Sequence, residues 1–463
     1  MNSGFLRGLS HKGFLVAILL AFAFCLAGWK TFNRLPASDF SFAPEQVTST
    51  IASRNNAVTT GVAADFPVQQ LSPDGQVHFN AQFVSSSPGK AVHAASLVEL
   101  KNSDLRAVWF SGSREGAGDV SIQTAVMDAT SQQWGKESTL FERQKVEQGL
   151  WRYVKKLGNP VIARAPDGSL SLWMVNVSLG GWAGSAITWS RSTDEGITWS
   201  RPRRLVTSPF LNISTLVKGA PVALQNGQTA LPVYHEFVTK FSEILKITPQ
   251  GQVVDKTRIP GSRTSLQPIM LVTSPQNAQA YMRSGNATAV LKSATQNGGK
   301  TWSSVGQSPW PNPDSALAGV VTNAGVQWLA SNPSLENREI LALLQVKKDS
   351  AIDAAKQWNV ESSAMPRNRL SVDDYKYSLE KELEIHGVSQ DQAQVYVASA
   401  QRQLCGASSC AQEFSYPYLL QSRDGFIHVV YTWHRTRIKH VRFDPLQPAL
   451  AATAVPVNAA PSN

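Results

Sequence analysis

Arginine side chains that can bind an anion lie beside several short apolar segments of this 463-residue chain. The first candidates are Arg114, Arg283 and Arg338. A guanidinium group holds a planar carboxylate through two parallel hydrogen bonds, a geometry that lysine does not reproduce. Several arginines that converge on one pocket would therefore select an acidic ligand.

The overall charge agrees with an anionic partner. With 43 Lys and Arg residues against 33 Asp and Glu residues, the formal net charge is +10. A basic excess favours nucleic acid, an anionic membrane surface or an acidic polymer. The sequence has no run of five or more basic residues and no recognised nucleic-acid-binding module. The predicted partner is therefore an acidic glycan or polysaccharide and not nucleic acid.

A repeated turn motif predicts the elements that would position these side chains. Residues 192–199 read STDEGITW, in which Asp194 and Gly196 suit a tight turn and Trp199 can anchor the next strand. Weaker copies end at Trp134, Trp302 and Trp358. The four tryptophans are separated by 65, 103 and 56 residues, so the middle gap holds about two repeats of roughly 50 residues. Propeller blades have this length.

Between these turns the sequence is typical of an all-β body. From about residue 76 to 445, short runs with period-two alternation are separated by Gly, Asn, Asp and Pro clusters. One segment, 349–412, instead places apolar residues near helical spacing, from AIDAAKQW to AQRQL. Ser371 and Asp373 suit the start of one helix and Gly387 its end. We therefore predict an insertion of two or three helices between late blades.

The two ends of the chain have a different character. Residues 13–29 form the longest uncharged apolar run, which favours an uncleaved transmembrane anchor over a cleaved secretory signal. Residues 1–12 would then lie in the cytoplasm, and the body would lie on the extracytoplasmic, periplasmic side of the cytoplasmic membrane. Residues 30–75 are predicted to form a linker and 446–463 a disordered tail.

The cysteines add a prediction about the compartment. Cys25 lies in the apolar run, whereas Cys405 and Cys410 lie close together near the end of the helical segment. No further Cys or His has zinc-site spacing, so neither a metal nor a cofactor is predicted. A local disulfide is expected in an oxidising compartment, and two free thiols are the alternative.

The turn motifs and four local matches resemble the sialidase superfamily, in particular bacterial and plant sialidase-like proteins with Asp-box (BNR) repeats. The resemblance covers about residues 85–445 outside the helical segment. It implies a six-bladed β-propeller, in which Asp boxes lie on blade turns away from the active site and serve the fold.

The resemblance also implies roles for the candidate residues. Arg114 and Asp119, in SGSREGAGD, match a substrate arginine and the aspartate acid/base. Arg283 and Arg338 match arginines that bind the substrate carboxylate. Tyr416, in FSYP, matches a tyrosine nucleophile, a known exception to hydrolysis by two carboxylates. Such a tyrosine needs a neighbouring base to activate it.

Two positions depart from the family pattern. His93 stands where the family has an arginine, and Gln267 stands where it has the glutamate that activates the tyrosine. A neutral imidazole cannot bind a carboxylate through two parallel hydrogen bonds, and a side-chain amide cannot accept a proton at working pH. The residues predicted to substitute are Glu115, Glu236, Glu413, His235 and His440. The ordinary alternative for each of these residues, and for His93, is a packed or solvated structural role.

Two further segments are candidates for the pocket. The turn KLGNP, residues 156–160, would reach it from one blade. Arg435 lies in the basic run WHRTRIKH, residues 433–440, which is either a solvated edge or part of a substrate site.

The predicted function is an exo-acting, sialidase-like glycoside hydrolase on an acidic or anionic cell-surface glycan, with Tyr416 as nucleophile and Asp119 as acid/base. The alternative is a non-catalytic propeller that binds an extracellular polysaccharide, which the glutamine at 267 favours. A third possibility, a protein-binding propeller, predicts a hydrophobic top face.

Overall fold

Six antiparallel sheets of four or five strands make up the body of the protein. The computed structural model describes residues 11–32, 41–43, 68–70, 78–208, 212–346, 356–362 and 369–445. The sheets follow one another along the chain, and strands near the inner edge of each sheet pack beside those of the next. The predicted all-β, six-bladed propeller is therefore confirmed.

The helices are α1 (His11–Phe32), α2 (Arg143–Leu150), α3 (Val372–Ile385) and α4 (Gln390–Leu404), with one 3₁₀ turn at Trp182–Gly184. The strands that close the ring from the N-terminal side are β1 (Val68–Gln70) and β2 (His78–Phe83). Blade 1 contains β3 (Ala91–Glu99), β4 (Leu105–Gly112), β5 (Ser121–Met127) and β6 (Ser138–Phe141). Blade 2 contains β7 (Lys156–Arg164), β8 (Leu170–Val177), β9 (Ser185–Ser192) and β10 (Arg203–Arg204). Blade 3 contains β11 (Leu216–Val217), β12 (Val222–Ala223), β13 (Thr229–His235), β14 (Phe241–Ile247) and β15 (Val253–Arg258).

The second half of the ring continues in the same way. Blade 4 contains β16 (Ser265–Val272), β17 (Ala278–Ser284), β18 (Ala289–Thr295) and β19 (Gly306–Pro311). Blade 5 contains β20 (Ala318–Val321), β21 (Gln327–Ser331), β22 (Ile340–Val346) and β23 (Lys356–Ser362). A short pair, β24 (Leu370–Ser371) and β25 (Ser409–Cys410), brackets the two late helices. Blade 6 contains β26 (Phe414–Gln421), β27 (Ile427–Trp433) and β28 (Arg437–Phe443).

Strands from the two ends of the chain share blade 6. β2 pairs with β28 in antiparallel register, from Asn80 opposite Arg442 to Phe83 opposite Lys439. The blade would otherwise end in the unpaired edge of β28. The N-terminal strand therefore supplies the outer strand of the last blade and closes the ring.

The core lies between neighbouring blades. In β8 all eight residues are buried, because adjacent blades cover both faces of this strand. Leu172 and Met174 pack in one cluster with blade 1, and Trp173 and Val175 in another with blade 3. Trp109, Trp173, Trp328 and Trp433 are among the largest fully buried side chains.

The turn motif has the structural role that its sequence indicates. At Asp194 the carboxylate accepts the Thr198 N–H at 2.9 Å, and the Ser192 hydroxyl accepts the Gly196 N–H at 2.8 Å. In the weaker copy, Asn297 accepts the Thr301 N–H at 3.0 Å. Both turns join the third and fourth strands of a blade, outside the depression described below.

The helical insertion begins later than the sequence indicates. The segment AIDAAKQW, residues 351–358, was predicted to be helical. Its last three residues instead belong to β23, which begins at Lys356 and pairs with β22 as the outer strand of blade 5. Residues 351–355 lie outside the described part. Pairing with an open sheet edge outweighs a weak helical pattern. The remaining two helices follow the prediction: the Ser371 hydroxyl accepts the Asp374 N–H at the start of α3, and Gly387 has a φ of 71° just beyond its end.

The structure joins Cys405 and Cys410 in a disulfide. It closes the short connection from α4 to β25.

The structure does not support all of the predictions made for the N-terminal residues. None of the helices in the described ranges is both long and apolar enough to cross a membrane, so the transmembrane anchor predicted at 13–29 is not supported. Within the predicted linker, Phe42 is buried and bridges to Leu224 of blade 3, and β1 already pairs with β2. The predicted tail, 446–463, lies outside the described residues.

Candidate functional site

A depression of about 260 Å³ is lined by residues from the strands and connecting turns of all six blades. Its lining residues are His93, Glu115, Asn159, Trp182, Leu216, Tyr234, Glu236, Arg283, Arg338, Tyr416 and Arg435. It therefore brings together three guanidinium groups, two carboxyl groups and two phenols from distant parts of the chain.

Bulges in the innermost strands aim several of these side chains. The registers of β3, β7, β16 and β26 with their partner strands are each interrupted once, at the level of the depression. Within the four bulges, the residues in left-handed backbone conformation are Ala94, Asn159, Gln267 and Tyr416. A bulge leaves one residue out of the ladder and redirects its side chain. Three of these residues precede a proline, which lacks the N–H that a ladder would need.

The phenol of Tyr416 stands at the centre of a hydrogen-bonded group. Its oxygen accepts N–H groups from Gln267 at 3.1 Å and from Arg283 at 3.3 Å. The Gln267 carbonyl oxygen accepts Arg283 at 3.1 Å, and its amide nitrogen lies 3.4 Å from the Tyr234 hydroxyl. On the other side of Tyr234, the Asn159 amide donates at 3.3 Å. Five side chains from blades 2, 3, 4 and 6 thus form one polar network.

Arg283 is held on its outer side by Asp314, whose carboxylate accepts Nε at 2.6 Å. Burial opposes the charge on Arg283, but the nearby Tyr416 phenol and the Asp314 carboxylate outweigh it and raise the arginine pKa above its ordinary value. Arg283 is therefore a fixed positive charge beside the Tyr416 oxygen.

A buried carboxylate organises the other two arginines. Glu413 accepts Arg338 at 3.3 Å and Arg435 at 2.9 Å, and the Ser415 hydroxyl at 2.6 Å. Burial alone would favour the neutral acid, but the charges of Arg435 and Arg338 outweigh it and hold the pKa of Glu413 at about 2. Glu413 thus acts as the ionised anchor of the two guanidinium groups.

Two carboxyl groups remain on the wall of the depression. Burial raises the pKa of Glu236 above its ordinary value, which suits a carboxyl group that must carry a proton to a leaving group. Glu115 lies 3.8 Å from Arg435 across the depression.

His93 is part of the floor. Its ring centre lies 4.0 Å from that of Tyr416, and burial is the main cause that lowers its pKa well below the ordinary value. Its Nδ1 atom has no hydrogen-bond partner among the residues that the structure describes. His93 is therefore a neutral ring packed against the tyrosine, and it supplies no charge where the family pattern has an arginine.

Four candidates lie elsewhere. Arg114 and Asp119 are exposed on the turn after β4, where Asp119 accepts the backbone N–H and hydroxyl of Ser113. His235 points away from the depression and pairs with Glu243 at 2.9 Å, because neighbouring residues of a strand face opposite sides and Glu236 takes the inner one. His440 stacks on His428 in blade 6.

Sequence reasoning missed Tyr234, Trp182 and Lys218. Lys218 is buried behind Tyr416, where its side-chain nitrogen donates to the Pro417 carbonyl oxygen at 2.9 Å. Lys156, from the predicted KLGNP turn, stacks over Trp182 with Nζ 3.9 Å from a ring centre. The recurring X–Pro pair within an apolar strand, at 159–160, 267–268 and 416–417, marks three of the bulges but none of these three missed residues.

A ring of six blades with Asp-box turns and an arginine-lined hub defines a sialidase-like propeller. The BNR repeat-like domain family matches residues 103–429, and the chain belongs to this family. A search of curated proteins by sequence found no match.

Solved structures share the fold at low sequence identity. A Hadza microbial sialidase superposes with a TM-score of 0.57 at 11% identity, covering 77% of this chain and 66% of its own. A protein of unknown function from Dyadobacter fermentans gives 0.57 at 10%, covering 79% and 97%. The intramolecular trans-sialidase from Ruminococcus gnavus gives 0.53 at 11%, covering 85% and 100%. This chain thus spans slightly less than two thirds of the first of these proteins.

Proposed function

We propose that the depression binds a single anionic sugar and that the protein is an exo-acting, sialidase-like glycoside hydrolase. The observation that carries the proposal is that Arg283, Arg338 and Arg435 line one depression, together with Tyr416. A carboxylate bound there would meet guanidinium N–H groups from three directions. The sialidases among the structural neighbours support a glycan as ligand.

Tyr416 is the nucleophile in this proposal. Its oxygen already accepts N–H groups from Arg283 and Gln267, and fixed donors of this kind stabilise negative charge that develops on an oxygen. In the first step the Tyr416 hydroxyl loses its proton to solvent water and its oxygen bonds to the anomeric carbon, while the glycosidic bond breaks and the leaving oxygen takes a proton from a carboxylic acid. In the second step water attacks the anomeric carbon, the bond to the Tyr416 oxygen breaks, and the carboxylate takes the proton of the water.

The leaving oxygen needs a proton from a carboxylic acid. Glu236 lines the depression and has a raised pKa, whereas Asp119, which the sequence favours, lies on an exposed turn outside the lining. Both remain candidates for the acid/base, and they are separable by experiment. An acid is needed for an alkyl leaving group and much less for a nitrophenol, so loss of the acid should affect the two substrates unequally.

The test is hydrolysis of aryl and alkyl sialosides and uronides by the purified protein and by the Tyr416→Phe, Glu236→Gln and Asp119→Asn variants. We expect Tyr416→Phe to reduce release to background. The variant that lacks the acid should lose roughly 10²-fold or more on the alkyl glycosides and far less on the nitrophenyl ones. Release by the wild-type protein at the Tyr416→Phe level on all substrates would refute the hydrolase.

A second candidate is a non-catalytic propeller that binds an extracellular polysaccharide. It is favoured by Gln267, whose amide cannot accept the tyrosine proton, and by the position of Asp119. This candidate predicts measurable binding of acidic glycans that is lost in Arg283→Gln, with no sugar released by any variant.

We further propose that the propeller works outside the cytoplasm, on the periplasmic or extracellular side. The Cys405–Cys410 disulfide supports an oxidising compartment. Fractionation of cells, with accessibility of the protein to external protease, would test the location.

A further inference from the structure

The two late helices hold one particular turn of the propeller. This turn joins β27 to β28, and each of its residues from 433 to 436 bonds to α3 or α4. The contacts are Trp433 Nε1 to Glu382 at 3.1 Å, His434 Nδ1 with the Tyr375 hydroxyl at 3.0 Å, Arg435 O with the Gln403 amide at 3.3 Å, and the Thr436 hydroxyl to Tyr396 O at 3.3 Å.

The turn needs such support because its backbone is strained. His434 and Arg435 both have left-handed conformations, with φ of 46° and 56°. Residues other than glycine persist in this region only where their surroundings over-determine them. Trp433, His434 and Thr436 are buried, so the surroundings that fix them are the helices on one side and blades 1 and 6 on the other.

The side chain of Arg435 leaves this turn in the opposite direction, toward the depression. Its Nε donates to Glu413 at 2.9 Å, and its Nη1 lies 3.8 Å from Glu115. Its backbone also bonds to blade 1, where the Val92 N–H donates to the Arg435 carbonyl oxygen at 2.9 Å. The helices therefore bind the main chain of Arg435, whose guanidinium group lines the depression.

We propose that the α3–α4 pair positions Arg435 for an anionic ligand, so that selection of a carboxylated sugar depends on the insertion. Tyr375 and Gln403 are the positioning residues: neither lines the depression, and each binds one residue of the turn. The ligand part of this inference rests on the function proposed above. The geometric part concerns the turn alone.

The test compares binding of N-acetylneuraminic acid with binding of its methyl ester, by calorimetry. We expect the wild type to prefer the acid, and Arg435→Gln to lose most of that preference. The double variant Tyr375→Phe/Gln403→Met should lower the acid-to-ester affinity ratio by roughly tenfold, because a displaced guanidinium group loses its fork geometry. The matched control Tyr377→Phe/Gln392→Met alters exposed residues of the same two helices and should keep the wild-type ratio.

A second measurement needs no ligand. Hydrogen exchange of a peptide spanning residues 430–440 should be faster in Tyr375→Phe/Gln403→Met than in the control pair, while peptides of blade 3 exchange as in the wild type. Where the double variant does not fold, Gln403→Met alone serves, since it removes one donor from a partly exposed position.

The outcomes separate the two proposals. Unchanged exchange in the turn, or a wild-type affinity ratio in the double variant, overturns the positioning role. Another outcome is faster exchange in the turn of the double variant while the wild type binds neither the acid nor the ester. That result would refute the anionic-sugar ligand and would still support the role of the helices in holding the turn. Equal loss of acid and ester affinity would show a general structural role and would also overturn the proposal.

Discussion

At the scale of single residues, Gln267 decides what Tyr416 can do. Its amide nitrogen lies within 3.1 Å of the Tyr416 oxygen and 3.4 Å of the Tyr234 oxygen, and its carbonyl oxygen accepts Arg283. The amide is therefore fully engaged as a donor to phenols. A glutamate at this position would keep the bond from Arg283 and would accept a proton from Tyr416.

We predict that Gln267→Glu raises kcat on aryl sialosides by about tenfold or more, because it adds a general base within hydrogen-bond reach of the nucleophile. Steady-state kinetics of the wild type, Gln267→Glu and Gln267→Met would measure this. A glutamate variant no faster than the methionine variant would contradict Tyr416 as a base-activated nucleophile.

Lys218 is the other residue with an unusual environment. It is buried behind the Tyr416 ring and donates to Pro417, and no carboxylate of the described residues pairs with it. Burial lowers its pKa to about 7, whereas an unfolded lysine has a pKa of about 10.4. Between these values the unfolded chain carries a proton on this lysine that the folded protein lacks.

Folding stability should therefore rise with pH between about 7 and 10 because of this residue, by about 1.4 kcal/mol per pH unit at most. Removing the amine in Lys218→Met should flatten that rise. Denaturant titrations at pH 7.5 and 9.5 would measure it, with Lys90→Met, an exposed lysine, as the control. Equal pH dependence in wild type and Lys218→Met would contradict the buried neutral amine.

At the scale of elements, the bulges decide which residues reach the centre. Short apolar runs between turn residues predicted the strands well, because strands buried on both faces carry apolar residues at most positions. Alternation cannot predict the position of a bulge, because one extra residue moves every later side chain of the strand to the opposite face of the sheet. Arg283 and Arg338 line the depression, whereas Arg114 and Asp119 lie on an exposed turn whose path no periodicity constrains.

The helical insertion also shows which features a local sequence pattern can predict and which it cannot. Its two helices were predicted, and the first of them, α3, has capping residues that the sequence shows, Ser371 at its start and Gly387 beyond its end. The stretch that became β23 has no such caps. Arg435 was ambiguous from sequence, because its place in the depression depends on contacts with helices about 30 to 60 residues away in the chain.

Close contact between blades 3 and 4 yields an element-scale prediction. A Cβ atom on Gly219 would overlap the carbonyl oxygen of Pro268, in the bulge beside Gln267. Gly219→Ala should therefore destabilise the protein by about 3 kcal/mol and displace Gln267. Gly306→Ala, where a Cβ meets open space, should change stability by less than about 0.5 kcal/mol.

Thermal denaturation of the two glycine variants would measure the difference. Equal melting temperatures for Gly219→Ala and Gly306→Ala would contradict the tight packing of the two blades.

At the scale of the whole molecule, closure of the ring depends on β2. A chain that begins at residue 88 lacks β1 and β2 and leaves the edge of β28 unpaired, so we expect it to aggregate or to melt far below the wild type. A chain that begins at residue 77 keeps β2, although it lacks α1, Phe42 and β1, and should retain a cooperative transition.

Expression and melting of these two truncations form a matched pair. Similar stability of both chains would contradict closure by β2. The sequence predicted the ring itself, since the Asp-box spacing reports blade length. It did not predict which strand closes the ring, because a pairing between residues 80–83 and 439–442 leaves no local pattern.

The pairing of Phe83 with Lys439 also governs how the protein is made. The strand β2 is synthesised early, but its partner β28 leaves the ribosome only after the five preceding blades. Contacts of such long sequence separation form slowly. Tyr416 and Arg435 belong to the same late segment, so a nascent or prematurely terminated chain carries no assembled depression. During that interval the waiting strand exposes unpaired backbone groups to other chains, and slower synthesis at low temperature should favour the yield of native protein.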